Sequence, residues 1–423
     1  TTMGSATDIN GFYSVSKVPA GSYTLMVTSL GFDTLSQSIS IKNNQLITKN
    51  LEIKEAAQMM NTFVVSAEKQ EAKTNVKMSL TKVTPKEIKS MPSIGGDPDL
   101  AQYLQVLPGV TFTGDQGGQL YIRGGSPVQN KVLLDGMVVY NPFHSIGLFS
   151  VFDTDLIRSA DVYTGGFNAE YGGRISSIMD ITYRDGDKKR MRGKISASTF
   201  STKLMLEGPL KKSKKGSGSI TYVLSGKHSY LEQTSSIYKP YFETLSSDNS
   251  RGVDSIGLPY GFTDLYGKIS FNGGNGNKLS LFGYNFKDNV TYVDDENPNA
   301  NTGLNWNSSG GGMNFVMVPS TSKTLIEGIL ALSNYKIALV EADGQPRTSA
   351  VNGYNLGMDF TTFSGDNLFK YGIEISGLTT DFQYVNSVGT KIEQKENTTE
   401  LSGFAMYRLI TGNFVIEPSV RLQ

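Results

Sequence analysis

The chain has 423 residues, with 39 Lys plus Arg balanced by 39 Asp plus Glu, and no cysteine. Zero net charge leaves no basic footprint for nucleic acid, and the lack of thiols excludes disulfides, thiol catalysis and thiolate metal sites together. No run of about 18 apolar residues occurs, so a helical membrane span is excluded while a strand-built one stays open.

Residues 1–54 alternate apolar and polar positions between turn signals at Asp8, Asn10 and Gly11, at Val18 to Gly21, and at Asn43 and Asn44, the pattern of several short strands. Residues 55–80 are polar and rich in Lys and Glu, apart from Phe63-Val64-Val65, and read as a tether. Residues 81–190 read as a compact α/β unit. Thr84-Pro85-Lys86-Glu87 is a helix start with a cap, a proline in the first turn and a glutamate three residues on. Helix is expected again from Asp99 to Leu107, ended by Pro108-Gly109, then strands at Gln119 to Arg123, Lys131 to Leu134 and Ser177 to Tyr183.

Residues 191–423 change character. Leu265, Ile269 and Phe271 alternate with Tyr266, Lys268, Ser270 and Asn272; Tyr354, Leu356, Met358 and Phe360 alternate with Asn355, Gly357, Asp359 and Thr361. Each run is about the ten residues that a tilted strand needs to cross a bilayer. This parity assigns Tyr222, Ile269, Leu356 and Ile373 to lipid, and Lys268, Asn355 and Glu374 to the interior. Short turns are expected near 211–218, 273–277, 319–323, 364–367 and 411–413. Long polar loops are expected near 232–262, 288–308, 336–352 and 381–398. Strict short-long alternation is the habit of an outer-membrane barrel. Apolar parity flips between Ile195 and Leu204, which marks a tight turn near Phe200. The count is eleven strands, about half of a 22-stranded plugged barrel, so an equal number is expected beyond this chain.

Several motifs are specific. Leu107-Pro108-Gly109-Val110, Gln119 to Gly125, Lys131 to Gly136, and Tyr171-Gly172-Gly173-Arg174-Ile175 with Met179 to Thr182 resemble, in order and spacing, the plug of TonB-dependent outer-membrane receptors. Asp8 to Tyr13, Val18 to Tyr23 and Leu30 to Phe32 resemble a carboxypeptidase regulatory-like β-sandwich without its opening strands. The fold class implied is mainly β: a partial sandwich, an α/β plug domain and part of a large antiparallel transmembrane β-barrel of Bacteroidota type. The domains are then 1–54 (sandwich), 55–80 (tether), 81–190 (plug) and 191–423 (barrel half).

The resemblance implies TonB-dependent import of a specific ligand across the outer membrane of a Gram-negative bacterium, with the N-terminal domain and tether in the periplasm. Its partners are TonB with ExbB and ExbD, outer-membrane lipid, an imported ligand, and as candidates a surface lipoprotein or larger outer-membrane complex. The Lys-Asp-Ala stretch of lipoprotein-capped importers is replaced here by Tyr163 to Glu170. Thr62-Phe63-Val64-Val65-Ser66-Ala67 resembles the TonB box, an apolar peptide able to add as a strand to a partner's sheet edge. Arg123, Arg174, Glu327, Glu374 and Glu417 are candidates for contacts between plug and barrel, because charges inside a barrel are usually paired. Tyr140, Asn141, Phe143 and His144, in an aromatic and polar loop, are the ligand-binding candidates. A plugged structural or secretion-associated barrel is the alternative.

No enzyme motif is present: there is no P-loop, no Gly-x-Ser-x-Gly, and the two histidines, His144 and His228, have no metal-ligand spacing. Asp294-Asp295-Glu296 reads as an exposed acidic loop rather than a Ca²⁺ site. No cofactor is expected.

Overall fold

A computed structural model describes residues 3–5, 7, 11–15, 18–29, 32–42, 45, 47–53, 79–92, 97–113, 119–144, 149–213, 218–234, 260–292, 302–319, 322–341, 345–364, 367–386, 388–412 and 414–423. Among these residues, no helix is long and apolar enough to cross a membrane. The expected TonB box, most of the tether and the acidic triplet at 294–296 lie outside the described residues.

Near the N-terminus, β1 (Gly21–Val27) and β2 (Leu35–Ile41) pair antiparallel, Gly21 opposite Ile41. This small unit touches the short turns of the large sheet described below. The Phe12 ring stacks on Phe363 at 5.1 Å, and the Asn50 amide donates to the Gly274 carbonyl.

The α/β unit starts with β3 (Leu80–Val83) and α1 (Pro85–Ser90). The expected capping box is present: the Glu87 carboxylate accepts from the Thr84 N–H at 2.7 Å, and the Thr84 hydroxyl accepts from the Glu87 N–H. In α2 (Leu100–Leu104), Asp99 caps the Ala101 N–H at 2.7 Å and also accepts from Ser150 N–H at 2.9 Å. Burial pushes the Asp99 carboxyl up, against the pull of Lys227 and these bonds. β4 (Val110–Thr113) pairs with β5 (Gln119–Ile122). The five-stranded sheet has the order β3-β8-β9-β6-β7, from β6 (Asn130–Leu134), β7 (Met137–Val138), β8 (Ile157–Tyr163) and β9 (Ser177–Tyr183). β6 and β9 run parallel, and Val132 to Leu134 are all buried, as suits a strand covered on both faces. Leu100, Leu104, Leu134, Leu156, Ile157, Ile178 and Ile181 form the core.

The remaining strands form one antiparallel meander: β10 (Arg192–Ala197), β11 (Ser201–Lys211), β12 (Ser219–Ser229), β13 (Tyr260–Asn272), β14 (Lys278–Tyr292), β15 (Thr302–Met317), β16 (Thr324–Val340), β17 (Pro346–Ser364), β18 (Asn367–Val385), β19 (Lys391–Thr411), β20 (Phe414–Ile416) and β21 (Ser419–Leu422). Each pairs with the next in the order β10 to β20, and β21 also pairs with β19. β20 and β21 keep one register on β19, Phe414 opposite Thr411 and Ser419 opposite Met406. They are two segments of a single strand, broken where Pro418 has no N–H to give the ladder, so the sheet has eleven strand positions. The turn expected near Phe200 separates β10 from β11.

One face of this sheet packs on the α/β unit, and the other carries an apolar band. Lys268, Tyr266 and Val223 are buried, while Ile269, Leu265, Leu356 and Ile373 are exposed. The expected parity therefore holds on the real strands. The loop expectation needs correction. The short turns stand where expected, but of the polar segments 288–308, 336–352 and 381–398 only 293–301, 341–345 and 386–390 lie between strands. The ladder simply continues, to 16–21 residues in β15 to β19. Alternation persists in these polar stretches, and once the band is left behind their outer face can be polar without ending the strand.

Candidate functional site

The α/β unit is fixed to the inner face of the sheet by buried charges. Between β6 and β7 a two-residue turn, Asp135-Gly136, has φ of 50° and 85°, the left-handed pair that a tight hairpin requires. The turn aims the Asp135 carboxylate at the wall. There it accepts from Lys268 Nζ at 2.9 Å and from the Tyr266 hydroxyl, and on its own side from the Tyr183 N–H. A Cβ at Gly136 would overlap Ile329 of β16, so the backbone itself lies on the wall.

A second fastening gathers round Lys203, whose Nζ lies 3.0 Å from Asp153 and 2.7 Å from Asp155. Asp155 also meets Lys89 at 2.8 Å and Lys194 at 2.7 Å. Burial opposes its ionisation, but Lys194, Lys203 and Lys89 outweigh burial and hold the carboxyl well below its usual range. Arg184 and Glu207 form a third fastening, and Lys278 with Asp185 a fourth at 2.9 Å.

The loop after β7 carries the ligand-binding candidates. His144 is 1% exposed, with Nδ1 2.7 Å from Asp288 and Nε2 2.9 Å from Asp264; its ring stacks on Phe262 at 4.0 Å. A ring with a carboxylate at each nitrogen is a double donor, the imidazolium. Burial works against that charge, yet the Asp264 and Asp288 carboxylates push the His144 pKa up to about 10. His144 therefore fastens the loop to the wall and offers nothing to a ligand, which corrects its assignment. Tyr140 and Asn141 border an open cavity of about 980 Å³ between this loop and β14 to β19. Phe143, 2% exposed, packs in the core and also borders the cavity. The Tyr140 ring rests on Gly353, where any Cβ would overlap its hydroxyl.

The charged candidates separate. Glu374 reaches Lys131 of the α/β unit at 3.6 Å and Arg421 at 2.6 Å. Arg421 in turn donates to the carbonyls of Ala169 and Glu170, and it fills the space a Cβ at Gly172 would need. Glu327 stands opposite Asp359 on the inner face, close enough to act on Lys370. Glu417 pairs with Arg408 within the sheet, Arg123 donates to Ser79 inside the α/β unit at 3.0 Å, and Arg174 donates to the Gly173 carbonyl. These three were expected to bridge plug and wall; each finds a nearer partner in its own unit. The residues that do the fastening, Asp135, Asp153, Asp155, Lys203 and Lys268, were missed. Their signal was present, a lysine at an inward position in mid-strand, where only a buried partner makes it tolerable. Among the described residues no three His, Cys, Asp or Glu side chains are grouped to hold a metal.

Comparison with known proteins follows this geometry. The family model for the TonB-dependent receptor plug domain matches residues 72–177, and that for the carboxypeptidase regulatory-like domain matches residues 1–65. Among curated proteins no match was found. A mutant ferric enterobactin receptor (PfeA) from Pseudomonas aeruginosa is 14% identical with a TM-score of 0.60, covering 83% of this chain and 58% of that one. The FrpB iron transporter (F3-3 variant) from Neisseria meningitidis is 13% identical with a TM-score of 0.58, over 82% and 58%. The outer membrane transporter YddB from Escherichia coli is 13% identical with a TM-score of 0.56, over 81% and 56%. At such identities the likeness is one of fold, and the chain spans a little over half the length of these structures.

Proposed function

We infer that this chain, which belongs to the TonB-dependent receptors, serves active import of a ligand across the outer membrane, its α/β unit acting as a plug inside a barrel wall. The observation that carries the reading is the two-faced sheet. Its outer face is an apolar band suited to lipid, and its inner face is closed by a folded domain fastened with buried ion pairs. A large barrel needs such a closure to keep the membrane sealed. A closure held by ion pairs can be released by a pull without any covalent step.

The reading extends to partners and layout. The short turns at 273–277 and 319–323 face the periplasm, where the N-terminal sandwich and tether also lie. Thr62 to Ala67 is the segment offered to TonB, which is driven with ExbB and ExbD by the proton gradient. The cavity above Tyr140 and Asn141 receives the ligand. Solved relatives include receptors for ferric enterobactin and ferric yersiniabactin; import is what this chain shares with them, and a surface lipoprotein is a candidate cap. Deleting Phe63 to Ala67 in the full-length receptor is the test. Ligand binding and membrane assembly should persist while uptake stops, and uptake at the wild-type rate would refute energy coupling through this segment.

A further inference from the structure

The outer face of the large sheet is ordered in rungs, because residues paired across β14, β15, β16 and β17 stand side by side. One rung is wholly apolar, Leu281, Met313, Leu330 and Leu356, and the next upward, Gly283, Gly311, Leu332 and Tyr354, ends the apolar band. Leu330 and Leu332 are 41% and 63% exposed. The rung above is Asn285, Ser309, Asn334 and Asn352, and it continues as Thr379 of β18 and Asn397 of β19. Its side chains hydrogen-bond along the row, Asn334 to Asn352 and the Thr379 hydroxyl to Asn397 at 2.6 Å. Every member of this rung is an uncharged amide or hydroxyl.

Charge enters this face one rung higher. Lys287 of β14 and Lys336 of β16 stand on either side of Asn307 of β15. Both lysines are exposed, and the Asn307 carboxamide oxygen accepts from the Asn285 amide below it at 2.9 Å. Two strand spacings, about 10 Å, separate the lysine backbones, so both ammonium groups can reach an anion seated over Asn307. Among the described residues no carboxylate pairs with either lysine. The first acid along the rung, Asp381 of β18, stands opposite Lys395. β18 gives the height of these rows: from Phe369 to Thr379 the strand runs ~33 Å. Tilted by about 40°, that length rises ~25 Å, the height of the apolar band of an outer-membrane barrel. The amide rung is thus the first layer above the acyl chains, and the lysines belong to the second.

The order of the layers selects the headgroup. A phosphoglycerolipid carries its phosphate directly at the acyl boundary, so the cations that receive it belong in the first polar row. Here that row holds groups that both donate and accept, the complement of sugar hydroxyls, and the cations stand above it. We propose that the outer face of β14 to β17 binds a phosphate-bearing glycolipid of the outer leaflet. Its acyl chains lie along Leu330, Leu332 and Leu356, its sugar hydroxyls meet the amide rung, and its phosphate sits between Lys287 and Lys336 over Asn307. The site rests on the reading of the chain as an outer-membrane barrel and is independent of what the receptor imports.

The full-length receptor in an uncharged detergent would be titrated with monophosphoryl lipid A, with the same lipid stripped of its phosphate, and with phosphatidylglycerol, complexes being counted by native mass spectrometry. Monophosphoryl lipid A should bind saturably, and the other two about tenfold more weakly. Lys287→Gln with Lys336→Gln should cost monophosphoryl lipid A about tenfold and abolish its advantage over the dephosphorylated lipid. Asn334→Ala with Asn352→Ala should weaken both glycolipids alike. Lys323→Gln, the same change of charge at a short turn on the opposite rim, should alter nothing. All of these positions are on the outer surface or at its edge, and an unchanged thermal unfolding transition shows that each variant is folded. Phosphatidylglycerol binding as tightly as lipid A would make this an unselective anionic surface and overturn the sugar headgroup. Wild-type affinity for lipid A in the double lysine variant would overturn the site. Import stands or falls separately, on the deletion of Phe63 to Ala67.

Discussion

Asp135 of the plug and Lys268 of the wall meet at 2.9 Å with side chains 0% and 2% exposed, and neither has water to fall back on. Removing one partner from such a pair strands a buried charge, at about 3–5 kcal/mol. Asp135→Asn keeps a residue able to adopt the positive φ of the turn, and Lys268→Met keeps the volume. Each alone should destabilise plug docking by that order, and the double variant by clearly less than the sum, since no unpaired charge remains. Denaturant titration of the full receptor, followed by hydrogen exchange in the plug, reads both.

His144 gives the docking of its loop a pH dependence of definite sign. Its folded-state pKa, about 10, lies above the free value of about 6.5, so the stabilisation is fully present below the free value and fades as pH rises through about 10. Exchange protection over residues 139–144 and 149–152, corrected for intrinsic rates, should decline between these limits. His144→Gln should start lower and stay flat. A flat profile in the wild type would remove the imidazolium from the argument.

Gly353 is needed by Tyr140. Gly353→Val puts atoms where the Tyr140 hydroxyl lies, and overpacking of this kind typically costs about 1–3 kcal/mol. The loop should shift, visible as a displaced Tyr140 in a structure of the variant and as altered Trp306 emission. Gly353→Val paired with Tyr140→Phe, which removes the clashing oxygen, should recover part of the loss.

Lipid-facing and inner positions should respond differently to the same charge. Ile373, 57% exposed on the outer face, should lose about 2–4 kcal/mol as Ile373→Lys near mid-membrane, and Ser376→Lys, one face over and bordering the cavity, far less. Equal losses in refolding titrations into lipid would contradict the strand register.

What the sequence revealed follows from how many independent signals each element carried. α1 was legible because cap, proline and glutamate agree within four residues, and the barrel strands because period-two alternation repeats over eleven strand positions. β8 was not read: Arg158, Ser159 and Asp161 are polar strand positions beside buried Ile157, Ala160 and Val162, a mixture that mimics a loop. The tops of β15 to β19 were mistaken for loops because polarity was equated with the end of a strand, whereas a strand leaving lipid keeps its hydrogen bonds and changes only what its outer face meets. Of the ligand-binding candidates, Tyr140, Asn141 and Phe143 border the cavity, while both ring nitrogens of His144 are taken up by Asp264 and Asp288. Composition cannot distinguish a polar group offered to a ligand from one consumed by two carboxylates 120 and 144 residues away in sequence.

β16 runs unbroken from Thr324 to Val340 and carries Ile329, against Gly136 of the plug, and Ile337, in the wall of the cavity. Eight residues of extended chain, about 26 Å, join the two points, and both neighbouring strands are bonded to it along that length. In mechanical terms β16 is a stator. A load placed at its upper end cannot slide it past its neighbours without shearing a whole ladder of backbone hydrogen bonds, so displacement falls on the part bearing on it, the Asp135-Gly136 turn of the plug. A shift of the plug therefore leaves the register of β16, and with it this side of the cavity, unchanged.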